Sequence, residues 1–162
     1  MPLPAALLAL AAAAQASAAP PPQSGLTKPS PADAQAVAAA CGGEIYPADV
    51  PKLGKAAVMK KLACFTREAA ARFNRTLPSQ VDPATTLERV SADGATLTYH
   101  YKVSIARSEL RPGALDAFKP KVREKVCAAA DMKSIVAIGG AYRYLWIDRN
   151  GEAIGELLVD AC

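Results

Sequence analysis

The sequence predicts an α+β fold of two layers, a four-stranded antiparallel sheet made from two hairpins and packed against helices. Two strand–turn–strand patterns, centred on Asp93-Gly94 and Asn150-Gly151, supply the sheet. One long helical stripe supplies the cover. Hairpins are marginal alone, so the two are expected to join edge to edge, with the helix over their aromatic face. At 162 residues the chain suits one domain.

From the N-terminus, residues 5–14 hold only Ala and Leu, and Ala16-Ser17-Ala18 follows with small residues at −3 and −1. This is the layout of a secretory signal peptide over residues 1–18, cleaved after Ala18. The apolar run is too short to span a bilayer. Ala38-Ala39-Ala40-Cys41 has the form of a lipobox but lies well beyond that run, so lipidation is not expected. Residues 19–33, rich in Pro, read as a flexible linker, and residues 34–162 as the single folded domain. Within this arrangement residues 32–40 suit a short helix that Gly42-Gly43 stops.

Residues 52–77 carry the helical stripe. Val58, Leu62, Phe65, Ala69 and Phe73 recur at helical spacing, and Pro78 ends the run. Its other faces hold Lys52, Lys55, Lys60, Lys61, Arg67, Arg72 and Arg75 against Glu68 alone, whereas the whole chain is only +4.

The first hairpin, 85–92 with 95–105, turns at Asp93-Gly94, which sets Val90 opposite Leu97. Leu97, Tyr99, Tyr101, Val103 and Ile105 then share a face, with Thr98, His100 and Lys102 on the other. Residues 113–130 form two helical pieces interrupted at Pro120, with Val122 and Val126 as a small apolar face. Asp131 caps a last short helix, 132–138, ended by Gly139-Gly140. The second hairpin, 141–148 with 153–159, places Tyr142, Tyr144 and Trp146 on one face. Trp146 falls opposite Gly155, and Asp148 opposite Ala153.

Cys41, Cys64, Cys127 and Cys162 form an even set without C-x-x-C spacing. In an oxidising compartment they read as two structural disulfides rather than a zinc ribbon or redox pair. Three pairings are possible. Cys41–Cys64 with Cys127–Cys162 is favoured, because each bond would tie a terminal segment to a central helix.

Several motifs resemble a known pattern. They are Leu77-Pro78, Val81-Asp82, Thr86-Leu87, Leu97-x-Tyr99-x-Tyr101, Cys127, Gly139-Gly140, Tyr142-Arg143-Tyr144, Asp148-x-x-Gly151-x-x-Ile154-Gly155 and Cys162. Together they resemble small exported, disulfide-containing proteins of Gram-negative bacteria with no assigned activity, over residues 60–162. The resemblance implies export, paired cysteines and the fold. It carries over no catalytic residue.

The chemistry is otherwise sparse. His100 is the one histidine, which disfavours histidine-based metal sites and most histidine-dependent catalysis. It reads as a solvated strand residue. No nucleophile elbow, metalloprotease, Walker or dinucleotide motif is present. Asp148, Glu152 and Glu156 have no sequence-encoded partner to shift a pKa. Asn74-Arg75-Thr76 matches a glycosylation sequon incidentally. No catalytic residue, metal or cofactor is therefore expected.

The expected function is a non-catalytic periplasmic or secreted protein-interaction module, most concretely an inhibitor or immunity protein against a toxin or envelope hydrolase. The alternatives are an accessory subunit of a cell-envelope or secretion complex, or a small-ligand or envelope-polymer binder using the cleft between helix and sheet. The candidate partner-binding residues are Lys61, Arg72 and Arg75, as an electropositive face for an acidic protein, and the aromatic Tyr142, Tyr144 and Trp146. Nucleic acid is not expected, since no aromatics interleave with the basic residues.

Overall fold

A computed structural model describes residues 30–162; the proposed signal peptide and most of the linker lie outside the described residues. The first helix, α1 (Pro31–Ala40), begins where Ser30 Oγ accepts from the Asp33 amide, with Pro31 in the first turn. A short turn, Pro47–Asp49, leads into α2 (Val50–Leu53). The long helix is shorter than its sequence pattern. Gly54, at φ 75°, breaks the run after α2, and α3 spans Lys55–Phe73. Its buried stripe is Val58, Leu62, Thr66 and Ala70, so Phe65, Ala69 and Phe73 lie half-buried on its flank.

The sheet corrects the expected topology. It has five strands in the order β1 (Ser79–Asp82), β2 (Thr85–Asp93), β3 (Thr96–Val103), β4 (Ala141–Ile147), β5 (Ala153–Val159). It is mixed, because β3 and β4 run parallel. The physical reason is the connection between the hairpins. The chain leaves β3, passes through α4 (Ala114–Ala128) and α5 (Ala130–Ala137) on the sheet's face, and returns to the end where β3 began. A helical crossover of this kind joins parallel strands.

Register differs in the first hairpin as well. The turn residues are Gly94 and Ala95, not Asp93 and Gly94, so Val90 pairs with Tyr99 and Ala92 with Leu97. Only Gly94 has positive φ, 53°, which fits a turn with glycine at its first central position. The shift is even in residues, so the inward set survives. In the second hairpin Trp146 does pair with Gly155, but an irregularity then brings Ile147, rather than Asp148, opposite Ala153.

Helix α4 continues through Pro120, which is exposed, so the freed backbone carbonyl faces water. The last helix starts at Ala130 with Asp131 in its first turn rather than as its cap. Gly139 N–H donates to Val136 O and Gly140 N–H to Ile135 O, the paired bonds of a Schellman end. Ala141 N–H then donates to Ala95 O, entering β4 directly.

One face of the sheet carries the core. Leu87 and Val90, Leu97, Tyr99 and Tyr101, then Tyr142, Tyr144 and Trp146 meet Ala70 of α3, Val122 and Val126 of α4 and Val136 of α5. The aromatic rings of β3 and β4 stack in register, with Tyr99 and Tyr144 centroids 5.3 Å apart and Tyr101 and Trp146 6.2 Å apart. Two disulfides, Cys41–Cys64 and Cys127–Cys162, have the pairing favoured from the sequence. The first joins α1 to α3 and the second joins α4 to the C-terminus. No helix among the described residues is long and apolar enough to cross a membrane.

Candidate functional site

The aromatic face is roofed unequally. Helix α3 passes the Gly94 turn, where Thr66 Oγ1 donates to Gly94 O at 2.7 Å, and ends at Phe73, edge-on to Tyr99 at 5.9 Å. Beyond that level Tyr101, Val103 and Trp146 line a groove with Leu115, Phe118 and Val122 of α4. This groove between α4 and the sheet is about 430 Å³, closed on its far side by Val81 and Asp82 of β1. That volume is typical of ligand sites, which span about 300–1,000 Å³.

The groove is built from apolar groups. Tyr101, Tyr144 and Trp146 lie on the sheet side, and Leu115, Phe118 and Val122 project from α4. Phe118 contacts Trp146 edge-on at 6.0 Å yet is 47% exposed. A large ring half out of water beside an apolar groove extends the apolar surface that the groove presents. Asp82 and Lys125 supply charges of opposite sign at the same groove. Burial raises the phenol pKa values of Tyr101 and Tyr144, so both stay neutral. The Tyr144 hydroxyl is buried without a hydrogen-bond partner among the described residues.

The wall is held by Asp148, a fully buried carboxylate. Its oxygens accept from the backbone N–H groups of Arg107 (2.9 Å), Asn150 (2.7 Å) and Glu152 (2.8 Å). Burial alone would raise its pKa, but these bonds outweigh that cost and lower it. The Arg107 bond fastens the turn Arg107–Glu109, which leads into α4, to the β4–β5 loop. Arg149 reinforces the fastening, its amide donating to Ile105 O and its guanidinium meeting Glu109 at 3.0 Å. Asp148 thus has partners that the sequence did not reveal. One of them, Arg107, comes from a turn about forty residues away in the chain, while Asn150 and Glu152 belong to the Asp148-x-x-Gly151 turn itself.

The sequence-predicted site residues fall into three places. Lys61 Nζ donates to Gly42 O and Glu44 O, at 3.1 and 3.0 Å, and Arg72 meets Asp33 at 3.4 Å. Two of the three cations therefore brace α1 and its following loop. Lys61, Cys64 and Arg72 share a face of α3 by helical spacing, so the Cys41–Cys64 bond brings α1 onto the face that looked free. Arg75 stays exposed, close enough to help lower the Asp33 pKa, after the larger effects of the Ser30 hydrogen bond and Arg72. Tyr142 lies in the core away from the groove. Tyr144 and Trp146 lie at the groove itself, 1% and 5% exposed.

His100, on the opposite face, is half-buried rather than solvated, with Nε2 2.8 Å from Ser91 Oγ. Burial and then Arg89 lower its pKa, so it is neutral near pH 7. The pair links β2 to β3. Among the described residues, no group of three or more His, Cys, Asp or Glu is arranged to hold a metal.

No family model matches the chain, and no curated protein matches its sequence. Solved structures do share its fold. A candidate secreted protein of Pseudomonas aeruginosa superposes with a TM-score of 0.57 at 15% identity, covering 64% of this chain and 93% of its own. EpsS, the pilotin of the Vibrio vulnificus type 2 secretion system, gives 0.55 at 16%, covering 63% and 90%. AspS, the type II secretion system pilotin of Vibrio cholerae, gives 0.52 at 19%, covering 64% and 93%. The chain shares the fold of this secreted protein and of the two pilotins.

Proposed function

We propose that the protein is a non-catalytic accessory subunit of a cell-envelope or secretion complex, exported to the periplasm or beyond, that holds an amphipathic helix of a protein partner against α4. The observation that carries this reading is the apolar groove with Phe118 standing exposed at its rim. A helix laying its apolar face into such a groove is a recurrent mode of recognition. Charges of both signs at the groove, Asp82 and Lys125, complement a peptide that carries both; a fatty acid would complement Lys125 alone. The two pilotins among the fold neighbours support a role beside a secretion machine. The inhibitor or immunity reading has no counterpart among them and gives way to the accessory subunit.

The test is a photo-crosslinking residue placed at Phe118 in living cells, with Leu158, exposed on the opposite sheet face, as control. Adducts with a type II secretion component from position 118 alone, and reduced secretion when the gene is deleted, are expected. Unchanged secretion together with no adduct at 118 would overturn the proposal.

A further inference from the structure

Charge is ordered along the length of the groove. Among the residues that line it, Asp82 and Lys125 are the charged pair. Leu115 lies against Gly155, which pairs with Trp146, and Trp146 pairs with Tyr101, so these four share one level of the sheet. From that level α4 runs in the direction of β5, because Arg123, about two turns on, donates to Leu158 O and Ala161 O at 3.0 and 3.1 Å. Lys125 follows in the last turn of the helix. Asp82 lies the other way. It pairs with Thr85, and Thr85 pairs with Val103, two residues past Tyr101 toward the end of β3. β3 runs opposite to β5, since it is parallel to β4 and β4 is antiparallel to β5. The acid and the base therefore mark opposite ends of the groove. Two residues of strand and ten of helix separate their levels by about 20 Å, the length of about fourteen helical residues.

Both charges are available to a partner. Lys125 is exposed, and its ammonium has no hydrogen bond or ion pair among the described residues. Asp82 is half-buried and accepts from the Ala84 N–H through Oδ1 at 2.8 Å, which leaves its second oxygen unbonded among the described residues. A helix laid along α4 brings its two ends to these groups. Helices carry acids best in the first turn and bases best in the last, where each charge meets the favourable end of the macrodipole. One direction then gives attraction at both ends of the groove, with the first turn on Lys125 and the last on Asp82. That direction also sets the dipoles of the two helices head to tail.

We propose that the helix held in the groove runs antiparallel to α4, with an acidic residue in its first turn against Lys125 and a basic residue about fourteen positions later against Asp82. The inference rests on the reading of the groove as a helix site and adds the direction, length and end charges of its occupant. Lys125 and Asp82 are the specificity-determining residues, because the same helix bound in reverse sets base on base and acid on acid.

The experiment uses the oxidised protein and a displayed library of helices of about 18 residues, with a varied apolar face and Glu or Lys offered at one first-turn and one last-turn position. Selection on wild type should favour Glu first and Lys last. That order also suits a free helix, so the shift between proteins is what is read. On Lys125→Glu the first-turn preference for Glu should fall by about fivefold, and on Asp82→Asn the last-turn preference for Lys by about twofold, each with the other end unchanged. Asparagine keeps an oxygen for the Ala84 amide, and thermal unfolding confirms that both variants are folded. Direction is read separately on wild type. A benzophenone in the first turn of the best binder should label residues 122–128, and one in its last turn residues 79–85.

Reversed labelling, or a preference that fails to shift at either end, overturns the inferred direction and end charges while leaving the groove reading intact, provided Phe118→Glu abolishes selection. Enrichment that is absent on wild type, or indifferent to Phe118→Glu, overturns the groove reading and this inference with it.

Discussion

The side-chain amide of Asn74 closes both backbone groups of Val90. Its Nδ2 donates to Val90 O and its Oδ1 accepts from Val90 N–H, each at 2.8 Å. Strand β1 pairs with β2 only as far as Leu87, so the outer edge of β2 is unpaired from there on. Asn74, just past the end of α3, acts as a one-residue continuation of β1. It blunts an edge that would otherwise invite another strand.

Asn74→Ala should therefore cost about 1–3 kcal/mol, since two backbone groups lose partners at once. Urea denaturation measures it. A loss under ~0.5 kcal/mol would mean that water replaces the amide without penalty.

This contact marks where the sequence stopped being legible. Asn74-Arg75-Thr76 offered a sequon and no hint of Val90, because the partner is set by where β1 ends. β1 itself is four residues between Pro78 and Pro83, too short for an alternation to register, and it forms because β2 templates it. The parallel pairing of β3 with β4 was hidden for a similar reason, since it depends on how residues 104–140 cross the sheet. What depends on local chemistry was readable: the inward aromatic set, the Trp146–Gly155 pair and the glycine ends of helices. The groove was half readable. Tyr144 and Trp146 stood out, but Leu115 and Phe118 sit in a stretch that Pro120 made look broken.

Trp146→Ala should destabilise the domain by about 3–5 kcal/mol, the usual cost of deleting a buried large ring. The indole stacks on Tyr101 and Tyr144 and meets Phe118 edge-on, so its loss opens a cavity beneath α4. Lys60→Ala, at an exposed position, should cost under ~0.5 kcal/mol. Chemical denaturation of the two variants side by side decides it; similar losses would contradict the core placement.

Asp148→Ala should be among the most destabilising polar substitutions, at about 3 kcal/mol or more, because three backbone N–H groups lose their acceptor. The pH dependence follows from its lowered pKa. Its contribution is fully present above the unfolded carboxyl value, about 3.9, and is lost as pH falls through the lower folded value. Wild type should lose stability across that acid window, and Asp148→Asn should show a flatter dependence there. Parallel acid profiles would assign the loss to other carboxylates.

Tyr144→Phe should leave the free protein as stable as wild type or up to ~1 kcal/mol more so, because an unpaired buried hydroxyl is replaced by an apolar edge of the same shape. Thermal and urea unfolding read this without any ligand. A loss above ~1 kcal/mol would show that the hydroxyl already has a partner.

At Gly155 the Leu115 side chain of α4 reaches down onto the backbone of β5. A Cβ there would coincide with Leu115 Cδ2, so the leucine occupies space that only glycine leaves open. Gly155 does not have a positive φ, so alanine would meet packing resistance rather than backbone strain. Gly155→Ala should cost about 1 kcal/mol, the low end for overpacking, because the end of the Leu115 side chain must turn aside from the new methyl. Leu115→Ala alone should also destabilise, by removing a groove wall. The two losses should not add, because the shorter side chain vacates the volume that the new methyl needs. The double variant should be at least ~0.5 kcal/mol more stable than the sum of the single effects predicts. Strict additivity in denaturation would mean that α4 rests on other contacts and that Leu115 does not set its height above the sheet.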